Sequence, residues 1–201
     1  RAFAVLRRRF GVQGECFASP LNCAFGDSFC SAFPDVDSAF GSRGTFFNVF
    51  VEARERELEG CYEANPPFEE TVVDAMALRV AQLLKAADAA GRALGFIVVL
   101  PENCSPPHLA RLCGGPHCRR RLILPQRGHY YTQGQQHAHP LHSLRKATSD
   151  SAIHIFQSEA AASRWPASDA ACAELESAFS GDQQCVTLSD KESGVPKAEE
   201  S

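Results

Sequence analysis

At 201 residues, with 44% hydrophobic and 22% charged residues, the chain suits one folded domain large enough to bury a real core. A formal net charge of −4 argues against a generic nucleic-acid binder. Basic residues are grouped only locally, at Arg7-Arg8-Arg9, Arg119-Arg120-Arg121 and Arg145-Lys146, runs that read equally well as solvated faces.

Residues Ala2–Phe10 read as the end of a helix, with Phe3, Leu6 and Phe10 on one face. A short strand around Glu15-Cys16-Phe17 leads into an Ala-Ser-Pro loop. In a doubly wound α/β fold, ligands bind where loops leave the carboxyl ends of strands. That places residues 17–22, among them Phe17, Ala18, Ser19, Pro20 and Asn22, at a cofactor mouth. A plain capping turn would use Ser19-Pro20 equally well. Residues 46–60 contain a charge-alternating stretch at 52–59, most simply a solvated helix or an inserted loop. A strand is expected to approach Ala64 and to end at Asn65-Pro66-Pro67-Phe68. Residues 69–90 then predict a strong helix. Val73, Met76, Val80, Leu83, Leu84 and Ala87 form its apolar stripe, Glu69 and Glu70 complement the dipole in its first turn, and Gly91 ends it.

Leu94–Pro101 is a continuous apolar run, as expected of a central parallel strand buried on both faces. Leu122-Ile123-Leu124-Pro125 and residues 151–156 look like two further strands. The expected fold is α/β, a mostly parallel twisted sheet with flanking helices. The domain is expected to cover residues 1–175, with 176–201 a C-terminal extension that is largely disordered from Leu188 onward. Because the first residue is Arg rather than Met, the domain is expected to be incomplete at its N-terminus.

Nine cysteines, an odd number with no signal peptide ahead of them, fit a reducing compartment better than a disulfide framework. Cys113, His117 and Cys118 hint at zinc, as do His137, His139 and His142. Neither set holds paired C-x-x-C units, so no metal is expected. No apolar run approaches membrane-spanning length, so no membrane partner is expected.

The tetrapeptide Asn65-Pro66-Pro67-Phe68 suits one chemical problem, methylation of an exocyclic amine on a flat base. Such an amine is a poor nucleophile because its lone pair is delocalised into the ring. An Asn side-chain carbonyl and the backbone carbonyl of the next Pro can each accept one amine hydrogen, which aims the lone pair at a methyl donor. Pro66 and Pro67 fix φ and hold those carbonyls rigidly. Phe68 offers a face on which a base can stack. The bland alternative is a rigid strand-to-helix turn.

Around this motif lie Glu15-Cys16-Phe17-Ala18-Ser19-Pro20-Leu21-Asn22-Cys23, then Cys30-Ser31-Ala32-Phe33-Pro34-Asp35, then Phe40-Gly41-Ser42-Arg43-Gly44. With Tyr62-Glu63-Ala64-Asn65-Pro66-Pro67-Phe68, the string closely resembles the methyltransferase domain of the phosphorylated-CTD-interacting factor family, from about Phe10 to Trp165. The resemblance implies a Rossmann-like, S-adenosylmethionine-dependent methyltransferase in the nucleus. Its substrate would be capped mRNA, methylated at N6 of a cap-adjacent 2′-O-methyladenosine. It also implies a partner, the RNA polymerase II C-terminal domain, engaged through an N-terminal WW domain expected to be missing from this chain.

On that resemblance Asn65, Pro66, Pro67 and Phe68 are the catalytic set. Phe17, Ala18, Ser19, Pro20, Asn22, Asn65 and Glu70 would face the cofactor, with Asp35 or Asp37 at its ribose. Asp35 and Asp37 equally suit loop caps, and Glu70 a helix-start charge. Substrate contacts fall on Asn103, Cys104, Ser105, Pro106 and Pro107 and on Arg127, Gly128 and His129. The chain departs from the family pattern at Asn103, Cys104 and Arg127, where Trp, Arg and Phe are usual, so the cap pocket is expected to be altered. Uncapped RNA or DNA adenines, and a non-catalytic RNA- or transcription-partner-binding module, stay open as alternatives, since N-P-P-[YF] also serves DNA amino-methyltransferases.

Overall fold

In this structure, a computed structural model, residues 1–25, 28–49, 58–126, 128–132 and 144–180 are described. The charge-alternating stretch falls mostly outside them, as do Arg127, His137, His139, His142 and the tail from Leu188.

Two parallel crossings build the first half of the sheet. Helix α1 (Ala2–Phe10) ends at Gly11 and gives way to strand β1 (Val12–Glu15). Short helices α2 (Pro34–Asp37) and α3 (Phe46–Val49) flank a 3-10 turn (Ser38–Phe40), and the chain then enters β2 (Gly60–Ala64). Helix α4 (Glu70–Ala89) carries it back to β3 (Leu94–Pro101). The second half comprises α5 (Pro107–Cys113), β4 (Cys118–Leu124), the small β5 (Tyr130–Thr132) and β6 (Leu144–Lys146) pair, β7 (Ser151–Gln157), α6 (Glu159–Arg164) and α7 (Asp169–Ser180).

The main sheet has five strands in the order β1-β2-β3-β7-β4. β1 with β2 and β2 with β3 are parallel, whereas β7 is antiparallel to both β3 and β4. The sheet is therefore mixed in its pairing, a correction to the mostly parallel sheet expected. Four strands still point one way. After β4 the described chain passes through the antiparallel β5–β6 pair, and the next strand runs back antiparallel to β4. Two isolated parallel bridges, Glu15 with Phe29 and Phe29 with Ser42, continue the order beyond β1.

Both faces of β3 are covered, which explains its unbroken apolar run. Phe96, Val98 and Leu100 face a core layer containing Val73, Met76, Val80, Leu83, Leu84 and Ala87 of α4 and Leu109 and Leu112 of α5. Ile97 and Val99 face the opposite layer, with Val5, Leu6 and Phe10 of α1 and Ala171, Cys172 and Leu175 of α7. The α4 stripe read from spacing is buried at every position named for it. Phe3 stays partly exposed, edge-on to Phe25 at 5.5 Å, instead of joining the core with Leu6 and Phe10.

The first strand lies earlier than the expected Glu15-Cys16-Phe17, although Cys16 still donates its N–H to the Glu63 carbonyl at 2.8 Å. Helix α7 runs past residue 175 to Ser180. None of the described helices is long and apolar enough to cross a membrane.

Candidate active site

Because β1, β2, β3 and β4 share a direction, the four loops singled out from sequence all leave the same edge of the sheet. These are residues 16–23 after β1, 65–69 after β2, 102–106 after β3 and 125–129 after β4.

The β2–β3 register runs to Ala64 opposite Val98, so Asn65 is the first residue past the ladder. Asn65, Pro67 and Phe68 are exposed while Pro66 is buried, and Phe68 leaves 59% of its surface open. A large aromatic ring this open, one residue ahead of a helix N-cap, is not a core residue. Glu69 begins α4, its carbonyl accepting the N–H groups of Val72 and Val73 at 3.0 Å. The two prolines thus form a rigid extended link between a buried strand and a buried helix. Among the described residues, neither the Asn65 side chain nor the Pro66 carbonyl takes part in a hydrogen bond, so both acceptors remain available to a ligand.

The loop after β1 is locked from within. The Asn22 Oδ1 accepts the Ser19 N–H at 2.7 Å and the Ser19 hydroxyl at 3.1 Å, and the Ala18 N–H donates to the Cys30 carbonyl at 2.8 Å. Asn22 therefore shapes the loop with its side-chain oxygen. Phe17 packs into an aromatic chain, 5.0 Å from Phe46 and 6.2 Å edge-on to Phe47, while Ser19 and Pro20 stay half-buried at the mouth. Asp35 is exposed on α2, which follows the bridge residue Phe29, and Asp37 is half-buried beside it.

After β3, Asn103 and Ser105 are exposed, and Cys104 lies near enough to Glu70 for that carboxylate to help push its thiol pKa up, behind burial. This contact joins the β3 loop to the start of α4. Pro106 is buried as the N-cap of α5 and Pro107 is its first residue, so both set the loop's exit.

After β4, Gly128 closes a turn onto the Pro125 carbonyl at 2.8 Å. His129, expected to touch substrate, is fully buried. Its Nδ1 lies 2.8 Å from the Pro125 carbonyl and its Nε2 3.0 Å from the Ser151 hydroxyl. A carbonyl only accepts, so Nδ1 donates to it, while Nε2 and the Ser151 hydroxyl share the second hydrogen bond. His129 pins this loop to β7 from inside.

Sequence reasoning passed over Glu15 and Glu63. They are register partners at the ends of β1 and β2, both buried. Burial pushes the Glu63 carboxyl up to about 8, with the Glu15 charge adding to it. Burial also raises Glu15, against the N–H groups of Ala24 at 2.6 Å and Phe25 at 3.2 Å that its Oε2 accepts. The only signal in the sequence was a glutamate near the carboxyl end of each of two short strands. The basic runs are engaged as well: Arg8 and Arg9 with Glu174, Arg119 with Glu159, Arg120 with Asp169 and Arg121 with Glu102.

The sequence as a whole is similar to known proteins. The sequence model of a family described as Phosphorylated CTD interacting factor 1 WW domain matches residues 1–134. The chain belongs to this family. Its single tryptophan, Trp165, lies outside the matched residues, whereas the N-P-P-F turn lies within them. The chain is also 39% identical over 180 residues to the Homo sapiens protein named mRNA (2'-O-methyladenosine-N(6)-)-methyltransferase, and 38% identical over 180 residues to the Mus musculus protein of the same name. Each match covers 88% of this chain and 24% of the relative, so the chain spans about a quarter of their length.

Proposed function

We propose that this chain forms the core of an S-adenosylmethionine-dependent methyltransferase acting on the N6 amine of the cap-adjacent 2′-O-methyladenosine of mRNA. The observation that carries this reading is Asn65-Pro66-Pro67-Phe68 at the carboxyl end of β2, with its two carbonyl acceptors and an open aromatic face. The topology supports it. Read through the bridges, the sheet order is Ser42, Phe29, β1, β2, β3, β7, β4. That is the doubly wound order 3-2-1-4-5-6 with one reversed strand inserted before the last, and such sheets bind ligands where the order reverses, here between β1 and β2. A Rossmann-like methyltransferase domain over residues 1–175 accommodates all of these features. The names of the human and mouse relatives supply the reaction and the substrate.

The residues present fit the cofactor. Asp35 follows the second strand position, where an acidic group suits ribose hydroxyls. The loop at residues 17–22 borders the same crevice. Bound S-adenosylmethionine supplies an electrophilic methyl group. Asn65 Oδ1 and the Pro66 carbonyl accept the two amine hydrogens and turn the nitrogen lone pair outward, while Phe68 stacks on the adenine. Aligning the groups in this way supplies much of the rate, and no residue need act as a covalent nucleophile. Capped mRNA is the partner proposed for this site. The phosphorylated C-terminal domain of RNA polymerase II, met through a WW domain elsewhere in a longer protein, is the second, and both suit a nuclear location.

Calorimetric titration with S-adenosylmethionine, followed by methylation of matched capped and uncapped oligonucleotides, tests the reading. Saturable binding and transfer to the capped RNA are expected. Asn65→Ala should keep cofactor binding and lose on the order of a hundredfold or more in turnover. Turnover of Asn65→Ala within a few fold of the parent would sink the assignment.

A further inference from the structure

Helix α5 begins without a cap of its own. The first N–H groups of a helix have no partner within it. Here Pro106 stands at the cap position with no accepting side chain, and Pro107, the first helical residue, has no N–H to satisfy. His108 therefore carries the first free donor of the helix. Its acceptor comes from a neighbouring helix. Asp74, just past the first turn of α4, accepts the His108 backbone N–H through Oδ1 at 2.7 Å, and its Oδ2 lies 2.6 Å from His108 Nδ1. A carboxylate only accepts, so the ring donates from Nδ1. Leu109 and Leu112 of α5 pack in the same core layer as the α4 stripe.

This contact sits where two candidate loops end. Helix α4 begins after the N-P-P-F turn, and α5 begins after residues 102–106. The β3 loop is also held at its entry. The Glu102 N–H donates to the Asp150 carbonyl at 3.0 Å, and Glu102 Oε1 accepts from Arg121 at 2.7 Å. Between these anchors the Cys104 N–H turns back onto the Pro101 carbonyl at 3.0 Å, which leaves Asn103 and Ser105 exposed.

We propose that Asp74 is a positioning residue for the substrate: through His108 it fixes the exit of the β3 loop to α4, so that capped RNA meets the loop and the N-P-P-F turn as one rigid surface. This inference rests on the function proposed above and adds a residue outside the loops assigned to it. A loop that holds ground state and transition state equally contributes to KM, so freeing it raises KM and spares kcat.

Helix α4 carries its own control. Asp88, about four turns further on, makes the same kind of double contact. Its Oδ1 accepts the Glu159 N–H at 2.8 Å, and its Oδ2 lies 2.8 Å from His117 Nε2. That contact lies at the opposite edge of the sheet, where β7 ends beside the start of β3 with Gln157 paired to Gly95. Loss of either acid removes a helix cap and a histidine partner, so both losses should lower the melting temperature to a similar extent. Only the loss of Asp74 should reach the substrate.

The test compares variants of the whole chain. With capped RNA varied at saturating S-adenosylmethionine, Asp74→Ala should raise KM roughly tenfold and keep kcat within about twofold, whereas Asp88→Ala should leave both within about twofold. His108→Ala should reproduce part of the Asp74→Ala effect. His108→Asn, whose side-chain amide can donate in place of Nδ1, should reverse it. The histidine variants leave the backbone bond to Asp74 in place and carry the same test if Asp74→Ala does not fold. Hydrogen exchange without substrate should show the His108 amide exchanging roughly tenfold faster or more in Asp74→Ala and unchanged in Asp88→Ala. An unchanged KM in Asp74→Ala, or an equal rise in Asp88→Ala, overturns the proposal. Exchange keeps that failure apart from failure of the function. A parent chain that transfers no methyl group overturns the function whatever the His108 amide does. A parent that methylates, with a His108 amide still protected in Asp74→Ala, overturns the clamp alone.

Discussion

Phe68 and Glu63 sit close together in sequence and have opposite environments. Phe68 is more than half open beside Asn65, so its loss should act on turnover and leave stability nearly unchanged. Under the proposed function, Phe68→Ala should lower methyl-transfer activity roughly tenfold or more, as expected for removal of one base-stacking face, while Phe68→Tyr keeps much of it. Side-by-side rates decide this, and equal loss in both variants would point to packing.

Glu63 is buried against Glu15, and its carboxyl is raised to about 8. In the unfolded chain that group releases its proton near the usual value of 4.5, whereas the folded chain retains it. The sign follows. The contribution of Glu63 to stability is full below the ordinary carboxylate range and falls as pH rises toward about 8. Glu63→Gln, which is neutral at all these pH values, should therefore change the melting temperature little at acid pH. At pH 8 it should raise the melting temperature by ~5 °C or more. Melting curves across that range check the window, and a difference that shrinks with rising pH would contradict it.

At the scale of elements, the joint between α1 and β1 is the tightest point. Gly11 ends α1 in the left-handed region at φ 66 and donates its N–H to the Leu6 carbonyl. A Cβ there would stand 2.3 Å from Trp165 Cε2, in the segment that leads into α7. Gly11→Ala should therefore cost about 1–3 kcal/mol through backbone strain and the displaced indole. Chemical denaturation would measure it, and a neutral result would mean that Trp165 moves freely aside. Ser158 joins other elements. It is fully buried, and its hydroxyl accepts the Leu94 and Ala161 N–H groups while donating to the Arg92 carbonyl, tying the start of β3 to the start of α6. Strand β3 and helix α4 were legible from residue spacing alone, since each carries an unbroken local pattern. The ends of β1 were not, because a four-residue strand holds too little periodicity to fix its limits.

Across the whole molecule, charge is arranged to hold elements together. The described arginines of both triplet runs that form ion pairs do so with acids of other elements, and Arg7 lies 4.8 Å over the Phe25 ring. Arg120, half-exposed and paired with a nearly fully exposed Asp169, illustrates how little each such pair contributes. Arg120→Ala should cost less than about 1 kcal/mol of stability and leave RNA affinity within a few fold of the parent. Fluorescence anisotropy at two salt concentrations would test this, and a large loss of affinity with a flatter salt slope would show the run to be a phosphate track.

The sequence by itself determined the N-P-P-F turn, the helix after it and the buried central strand, because each depends on residues near one another in the chain. It also marked the four loops, since turn residues are local signals. Only the tertiary structure decided that those loops share one edge, that β7 enters antiparallel between β3 and β4, and that His129 points inward to Ser151. It alone placed Glu15 beside Glu63 and Cys113 within reach of His154. Those facts rest on contacts between residues distant in sequence. Strand order and direction fix such contacts, and the spacing of residues along one segment carries no record of them.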